Sequence, residues 1–186
     1  LDVYGSIEKV AIERRRISEG AKRIVTRLGF KMNGNPLKTI LVTATIPQEG
    51  VSSASLQIAK VYEAMGHRVA LLCVEADNVF TAIHNSAPRR VDGLACSEYK
   101  TKFDGLDILE INGEQNCFAI TKLVLEVLAG MGGAYDYVVI DSPPSGNRDE
   151  SVHLMVKAAD AVVYVTRKNK SKLTYLRYAN QIAQTY

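Results

Sequence analysis

Between Thr39 and Ser55 the chain reads T-I-L-V-T-A-T-I-P-Q-E-G-V-S-S-A-S, an apolar, β-branched run that stops at a short polar loop and restarts with helical spacing. The run from Thr39 to Thr45 has the composition of a parallel strand buried on both faces. Such a strand needs a layer above and a layer below it. The loop follows at Ile46 to Gly50, and then Ser52 or Ser53 can cap a helix with Leu56, Ile58, Ala59, Val61, Tyr62 and Met65 inward and Gly66 at its end. Strand, loop and helix N-terminus in that order form an anion site by geometry, because the first-turn N–H groups and the helix dipole both point into the loop.

The rest of the chain supplies the layers. Arg68 to Val74 reads as a second buried strand ending in Glu75-Ala76-Asp77, and Leu106 to Ile111, Tyr135 to Asp141 and Ala161 to Thr166 read as three more. Helical patterns lie between and after them: Phe118 to Met131 with Leu123, Val124, Val127 and Leu128 inward, Asp149 to Ala159, and Leu173 to Tyr186. Phe80 to Ala95 reads as a short helix and a loop through Pro88. Alternation of this kind predicts an α/β, three-layer fold, a mostly parallel β-sheet flanked by helices with right-handed crossovers. The last helix has no strand after it, so the reading expects the fold to be truncated at the C-terminus. Ahead of the first strand, apolar Ile7, Val10, Ala11, Ile17, Ala21, Ile24, Val25 and Leu28 recur at helical steps, opposite Arg14, Arg15, Arg16, Lys22, Arg23 and Arg27. The expected organisation is a helical segment over 1–36 and an α/β domain over 37–186.

Composition removes several functions. A charge of +3, spread over 186 residues, is no electrostatic footprint for nucleic acid. Cys73, Cys96 and Cys117 are odd in number and far apart, which fits reduced thiols rather than a disulfide framework or a zinc site. No apolar run approaches the ~20 residues that span a bilayer. His67, His84 and His153 share no metal-ligand spacing.

The chemistry therefore rests on the loop and on carboxylates at strand ends. In the phosphate-binding pattern G-x-x-x-x-G-K-[ST], backbone amides cradle phosphates, the lysine reaches the outer ones and the hydroxyl holds the metal. Gly50 and Ser52 stand at the last glycine and the hydroxyl, Thr45 at the first glycine and Val51 at the lysine. The loop candidates are thus Thr45, Pro47, Gln48, Glu49, Gly50, Val51, Ser52 and Ser53. Asp141 closes Y-D-Y-V-V-I-D as a Walker B aspartate does, where the carboxylate supports a magnesium ion. Asp77 and Asp141 each end a buried run, which is costly for a carboxylate that does not face a polar cleft. Ser142-Pro143-Pro144 then leaves an extended loop at the same edge.

With these segments in place, the chain resembles the cytoplasmic ATPase domain of bacterial tyrosine kinases of capsular and exopolysaccharide biosynthesis, relatives of the cell-division and partition ATPases. The similarity runs from about Glu19 to Tyr186. It is carried by L-K-T-I-L-V-T-A-T-I-P-Q-E-G from Leu37, V-A-L-L-C-V-E-A-D from Val69, and Y-D-Y-V-V-I-D-S-P-P from Tyr135. The resemblance implies ATP or ADP with Mg2+ as cofactor, Ser52, Asp77 and Asp141 at the metal, and Asp77 and Glu75 as the catalytic pair of an active form. It also implies a homo-oligomer, a membrane-bound polysaccharide co-polymerase or kinase partner, and a cytoplasmic site at the inner face of the membrane. The departures fall on the chemistry: Val51 replaces the lysine, Gln48 replaces a glycine, and Glu75 replaces an aspartate. Of the family's oligomerisation pattern only Glu19 is kept, with Lys22 similar and Val25 different.

A lost charge-assisted hydrogen bond costs about 1.5 to 3 kcal/mol, roughly 10- to 100-fold in affinity. Phosphoryl transfer leans on positioning and electrostatics, so catalysis should suffer more than binding. Three functions follow: a catalytically weak or inactive regulator or scaffold with weakened nucleotide binding; an active kinase or ATPase whose lysine is replaced by Arg89, Arg90, Arg148 or Arg167; and a partition-ATPase-like interaction module without nucleotide. Tyr175, Tyr178 and Tyr186 fall inside the last helical pattern and read as packing or surface residues rather than an autophosphorylated tail.

Overall fold

The computed structural model describes residues 17–31, 37–74, 80–111, 117–131, 133–145, 150–167 and 177. Its elements are α1 (Glu19–Lys31), β1 (Thr39–Ala44), α2 (Val51–Ala64), β2 (Val69–Cys73), β3 (Arg89–Arg90), β4 (Cys96–Lys100), β5 (Leu106–Ile111), α3 (Cys117–Gly130), β6 (Tyr137–Asp141), α4 (Glu150–Ala158) and β7 (Ala161–Val165). They form one sheet in the order β3-β4-β5-β2-β6-β1-β7. β5, β2, β6, β1 and β7 run parallel, and β4 and β3 continue the sheet antiparallel.

Alternation along each strand sorts the core into two layers. Ile40, Val42, Val69, Leu71, Cys73, Leu106, Ile108 and Val139 pack with α1 and α2. Leu41, Ala70, Leu72, Leu109, Val138 and Ile140 pack with α3 and α4. This is why the central strands read as unbroken apolar runs: both faces are covered. In α1 the buried stripe is Ala21, Ile24, Val25 and Leu28. Its start is capped by Ser18, whose Oγ accepts from the Ala21 amide at 3.1 Å, and is tied to α2 by the Ser18 amide donating to Gln57 Oε1 at 2.8 Å.

At the opposite end from the loop, Asp160 fixes the entry of β1. Its Oδ2 accepts from the amides of Lys38 and Thr39, both at 2.8 Å, across 122 and 121 residues of chain. β1 and β7 are thereby held in register before the chain reaches the loop.

Several expectations need correction. Phe80 to Ala95 holds a short 3₁₀ helix at Thr81–Ile83 and a loop through Pro88, as expected, but then adds the short strand β3, which the sequence pattern does not signal. β4 carries no apolar run, yet it pairs along β5 because its polar side chains find partners there. Lys100 Nζ bridges Glu98 Oε1 at 3.1 Å and Asp107 Oδ2 at 2.6 Å, and the Tyr135 hydroxyl lies 3.1 and 3.0 Å from the same two atoms. Met65 is 61% exposed because α2 ends at Ala64, so the residue lies past the buried stripe. Leu123 and Leu128 pack against the core as expected, half-buried beside the fully buried Val124 and Val127 of α3. The expected helix over Leu173 to Tyr186 lies outside the described residues except for Arg177, which is helical. Arg14, Arg15 and Arg16 also lie outside them.

Candidate phosphate-loop site

The loop sits where β1 delivers it, between β6 and β7 at the C-terminal edge of the parallel strands. Ligands of open α/β sheets bind at that edge. α2 begins at Val51 with Gly50 as its N-cap, at φ 97° and ψ 30°, a residue with no side chain to cap the first turn. The expectation of a Ser52 or Ser53 cap is therefore wrong. With a left-handed glycine as N-cap, the helix starts at Val51, one residue before Ser52 and two before Ser53. Ser52 and Ser53 are half-buried in the first turn. A Cβ on Gly50 would meet nothing within 4 Å, so the glycine is required by its φ rather than by crowding.

The carboxylate of Glu49 is folded inward. The residue is 5% exposed, and its Oε2 accepts from the Thr45 amide at 3.2 Å, the Thr45 hydroxyl at 3.4 Å and the Ile46 amide at 3.3 Å. Gln48, just before it, has φ 63°. Pro47 and Gln48 form the exposed rim, and Val51 is half-buried with its side chain against the α1–α2 core layer.

Asp141 ends β6 in register with Val42 of β1 and Cys73 of β2, on the α2 face of the sheet. Its Oδ1 lies 2.9 Å from the hydroxyl of Ser55, a residue with no exposed surface. The same hydroxyl lies 2.9 Å from the Val51 carbonyl oxygen. One hydroxyl proton serves one acceptor at a time, and the carboxylate is the stronger of the two. Ser55 thus links α2 to the strand-end aspartate. Sequence reasoning missed it, although its spacing of three from Ser52 puts both serines on one helix stripe.

The segment after β6 is stitched onto β1. The Ser142 amide and hydroxyl donate to the Val42 carbonyl at 3.2 and 3.1 Å, Thr43 Oγ1 donates to the Pro143 carbonyl at 2.9 Å, and Ser145 Oγ donates to the Ala44 carbonyl at 3.0 Å. Side-chain hydroxyls replace the ladder bonds that the two prolines cannot make. Gly50, Val51, Ser52, Ser55 and Asp141 therefore gather at one edge. Glu75 and Asp77, which follow β2 in the sequence, lie outside the described residues.

The candidate replacement cations separate by position. Arg89 and Arg90 lie on β3, five strands from β1 and about 24 Å away at the usual strand spacing. Arg89 also pairs with Glu98, its Nη2 3.0 Å from Oε2. Arg148 lies outside the described residues. Arg167 follows β7, whose Val165 is opposite Ala44 of β1, so it stands level with the loop. A fifth cation, Lys60, is buried within α2 with its Nζ 4.7 Å from the Phe103 ring centroid. Burial, then repulsion by Lys102, pushes its ammonium below the ordinary lysine value. Phe103 precedes β5, so Lys60 points to the edge opposite the loop.

The histidines pack on aromatic rings. His67 meets Tyr62 and Tyr137 edge-on, and His84 stacks on Tyr99 at 4.1 Å. The side chain of His153 lies outside the described residues. Cys73 and Cys96 are buried and unbonded to one another.

No protein-family model matches the sequence, and no curated protein matches it. Solved structures do. The chimerical protein CapA2B2 superposes with a TM-score of 0.81 at 17% identity, over 100% of this chain and 89% of that one. The kinase domain of the Escherichia coli tyrosine kinase ETK gives 0.73 at 14%, over 89% of this chain and 70% of that one. The septum site-determining protein MinD from Pyrococcus horikoshii OT3, solved with Mg-ADP, gives 0.57 at 16%, over 80% of this chain and 65% of that one. The fold is that of the P-loop nucleotide-binding domains. Within that class it is shared with bacterial tyrosine-kinase domains and with MinD-like ATPases. At these identities the likeness establishes the fold.

Proposed function

We propose that this chain is a degenerate P-loop protein of the bacterial tyrosine-kinase type, catalytically weak or inactive, acting as a regulator or scaffold in exopolysaccharide or capsule biosynthesis. One observation carries the reading: Val51 occupies the first position of α2, where the phosphate lysine would stand, and packs against the core layer. The other parts of a phosphate cradle are retained. A left-handed Gly50, with no side chain to cap the first turn, opens the helix, and Asp141 is joined to that helix through Ser55. On this reading amides of the loop would hold a nucleotide phosphate, and Ser52 and Asp141, with Asp77 from outside the described residues, would support a magnesium ion. Bound magnesium would neutralise charge on the phosphates. Without the lysine, affinity falls less than turnover does.

The reading places the protein in the cytoplasm, brought to the inner face of the membrane by a co-polymerase or kinase partner, and allows a homo-oligomer. No helix among the described residues is long and apolar enough to cross a membrane.

Calorimetry with ATP and ADP, with and without magnesium, tests this directly. Weak magnesium-dependent binding without turnover is expected; tight binding with turnover refutes the inactive assignment, and no binding at millimolar nucleotide leaves an interaction module. Val51→Lys should raise affinity roughly 10- to 100-fold, since a lysine stem can follow the valine's apolar path and still reach the loop.

The position of Arg167 favours a second reading, in which a cation just past the neighbouring strand serves an active site. Under it the wild-type protein turns over ATP and Arg167→Ala abolishes that turnover.

A further inference from the structure

The loop lacks two features that normally shape it, a lysine and a permissive residue at position 48. Gln48 is the only non-glycine residue with positive φ among the described residues, and a side chain there disfavours that conformation. Something must hold it. The neighbouring Glu49 bridges the loop to its own base: its carboxylate is buried among three donors, two of them the amides of Thr45 and Ile46. Those amides sit just past β1, where the backbone leaves the ladder and needs acceptors. A side chain reaching back three and four residues cannot make these contacts unless the chain between turns sharply, and the turn runs through Gln48.

We propose that Glu49 is the positioning residue of this loop: its carboxylate clamps the amides of Thr45 and Ile46, holds residues 45–50 in a curve ready for an anion, and keeps Gln48 left-handed. The consequence for ligand binding rests on the phosphate-loop reading above, whereas the clamp itself does not. Glu49 acts on the backbone and has no role in chemistry. It also sets a specificity. A loop held by a resident carboxylate and lacking lysine presents negative charge beside its amides, so it favours phosphates already neutralised by magnesium over free nucleotide.

The test uses the whole chain, with Glu49→Ala, Glu49→Gln and the double variant Glu49→Ala/Gln48→Gly. Amide hydrogen exchange is read by NMR, and Mg-ADP and metal-free ADP binding by calorimetry. In Glu49→Ala, exchange at Thr45 and Ile46 should quicken about tenfold or more while amides of β2 and β5 keep their rates, which separates a local clamp from loss of folding. Glu49→Gln keeps an acceptor oxygen and should retain most of the protection. Mg-ADP affinity should fall about tenfold in Glu49→Ala and recover in part when Gln48→Gly is added, because glycine adopts the left-handed turn unaided.

Unchanged exchange at Thr45 and Ile46 in Glu49→Ala overturns the clamp. Quickened exchange with unchanged or stronger Mg-ADP binding overturns the positioning role and makes Glu49 a competitor for the loop. If neither the parent nor any variant binds Mg-ADP, the phosphate reading fails, and the exchange data alone decide the clamp.

Discussion

Removing the hydroxyl of Ser55 tests whether the strand-end aspartate is held by α2. Ser55 has no exposed surface and its oxygen lies 2.9 Å from Asp141 Oδ1. A hydrogen bond to a charged group contributes about 1.5 to 3 kcal/mol. Against that loss, alanine is the better helix former by roughly 0.5 kcal/mol at an interior position. The net expectation for Ser55→Ala is a destabilisation of about 1 to 2.5 kcal/mol, measured by urea unfolding. Because Ser55 can instead donate to the Val51 carbonyl, also at 2.9 Å, the single variant does not say which acceptor it serves. A double-mutant cycle with Asp141→Asn does. If the hydroxyl serves the carboxylate, the cycle should give a coupling of about 1 kcal/mol or more, within the range for residues in contact. A coupling below about 0.3 kcal/mol would refute the link and assign the proton to the helix carbonyl. In a magnesium titration with nucleotide, Ser55→Ala should also weaken the metal dependence, since an untethered aspartate is positioned less well.

Two further outcomes follow from the polar framework. Burial alone would raise the Glu98 carboxyl, but its contacts with Lys100, Tyr135 and Arg89 outweigh burial and hold it below the ordinary carboxylate value. A depressed folded-state value means that its contribution is present above the unfolded carboxyl range, ~4.3, and is lost as pH falls through the folded value. Urea unfolding at pH 7 and pH 3 should therefore show a smaller loss of stability for Glu98→Gln than for wild type; equal losses would contradict the pairing. Asp160→Ala removes an acceptor from the amides of Lys38 and Thr39, both at 2.8 Å. At this exposed position the cost should be about 1 kcal/mol, seen as a lower unfolding midpoint with faster amide exchange at the start of β1 and β7 unaltered at β4.

The parallel strands were legible because burial on both faces demands apolar residues at successive positions. β1, β2, β5, β6 and β7 all lie within the stretches read as strands. β4 was illegible for the converse reason. Glu98 and Lys100 look like loop residues until sheet pairing sets Arg89 and Asp107 beside them and Tyr135 arrives from 37 residues on to pair with Glu98. The loop's place was readable from the strand before it and the helix after it. Its internal wiring was not: in sequence Glu49 is one of eight loop candidates for binding, and in the fold it is a buried acceptor for the loop's own amides. Ser55 was passed over for Ser52, since only the register between β1 and β6 brings Asp141 onto the stripe below the loop.

Local composition decided this protein's class of architecture, the edge on which its candidate site lies, and the absence of the phosphate lysine. Each depends on nearest neighbours along the chain: periodicity, a glycine at a turn, a valine at one position. Partnership was decided by tertiary structure alone. Which hydroxyl meets Asp141, which acceptor satisfies the loop amides, and which arginine stands beside the loop are contacts or alignments across strands. Hydrogen bonds and ion pairs act over a few ångströms, and only the folded sheet brings Ser55 and Asp141, or Thr39 and Asp160, within that range.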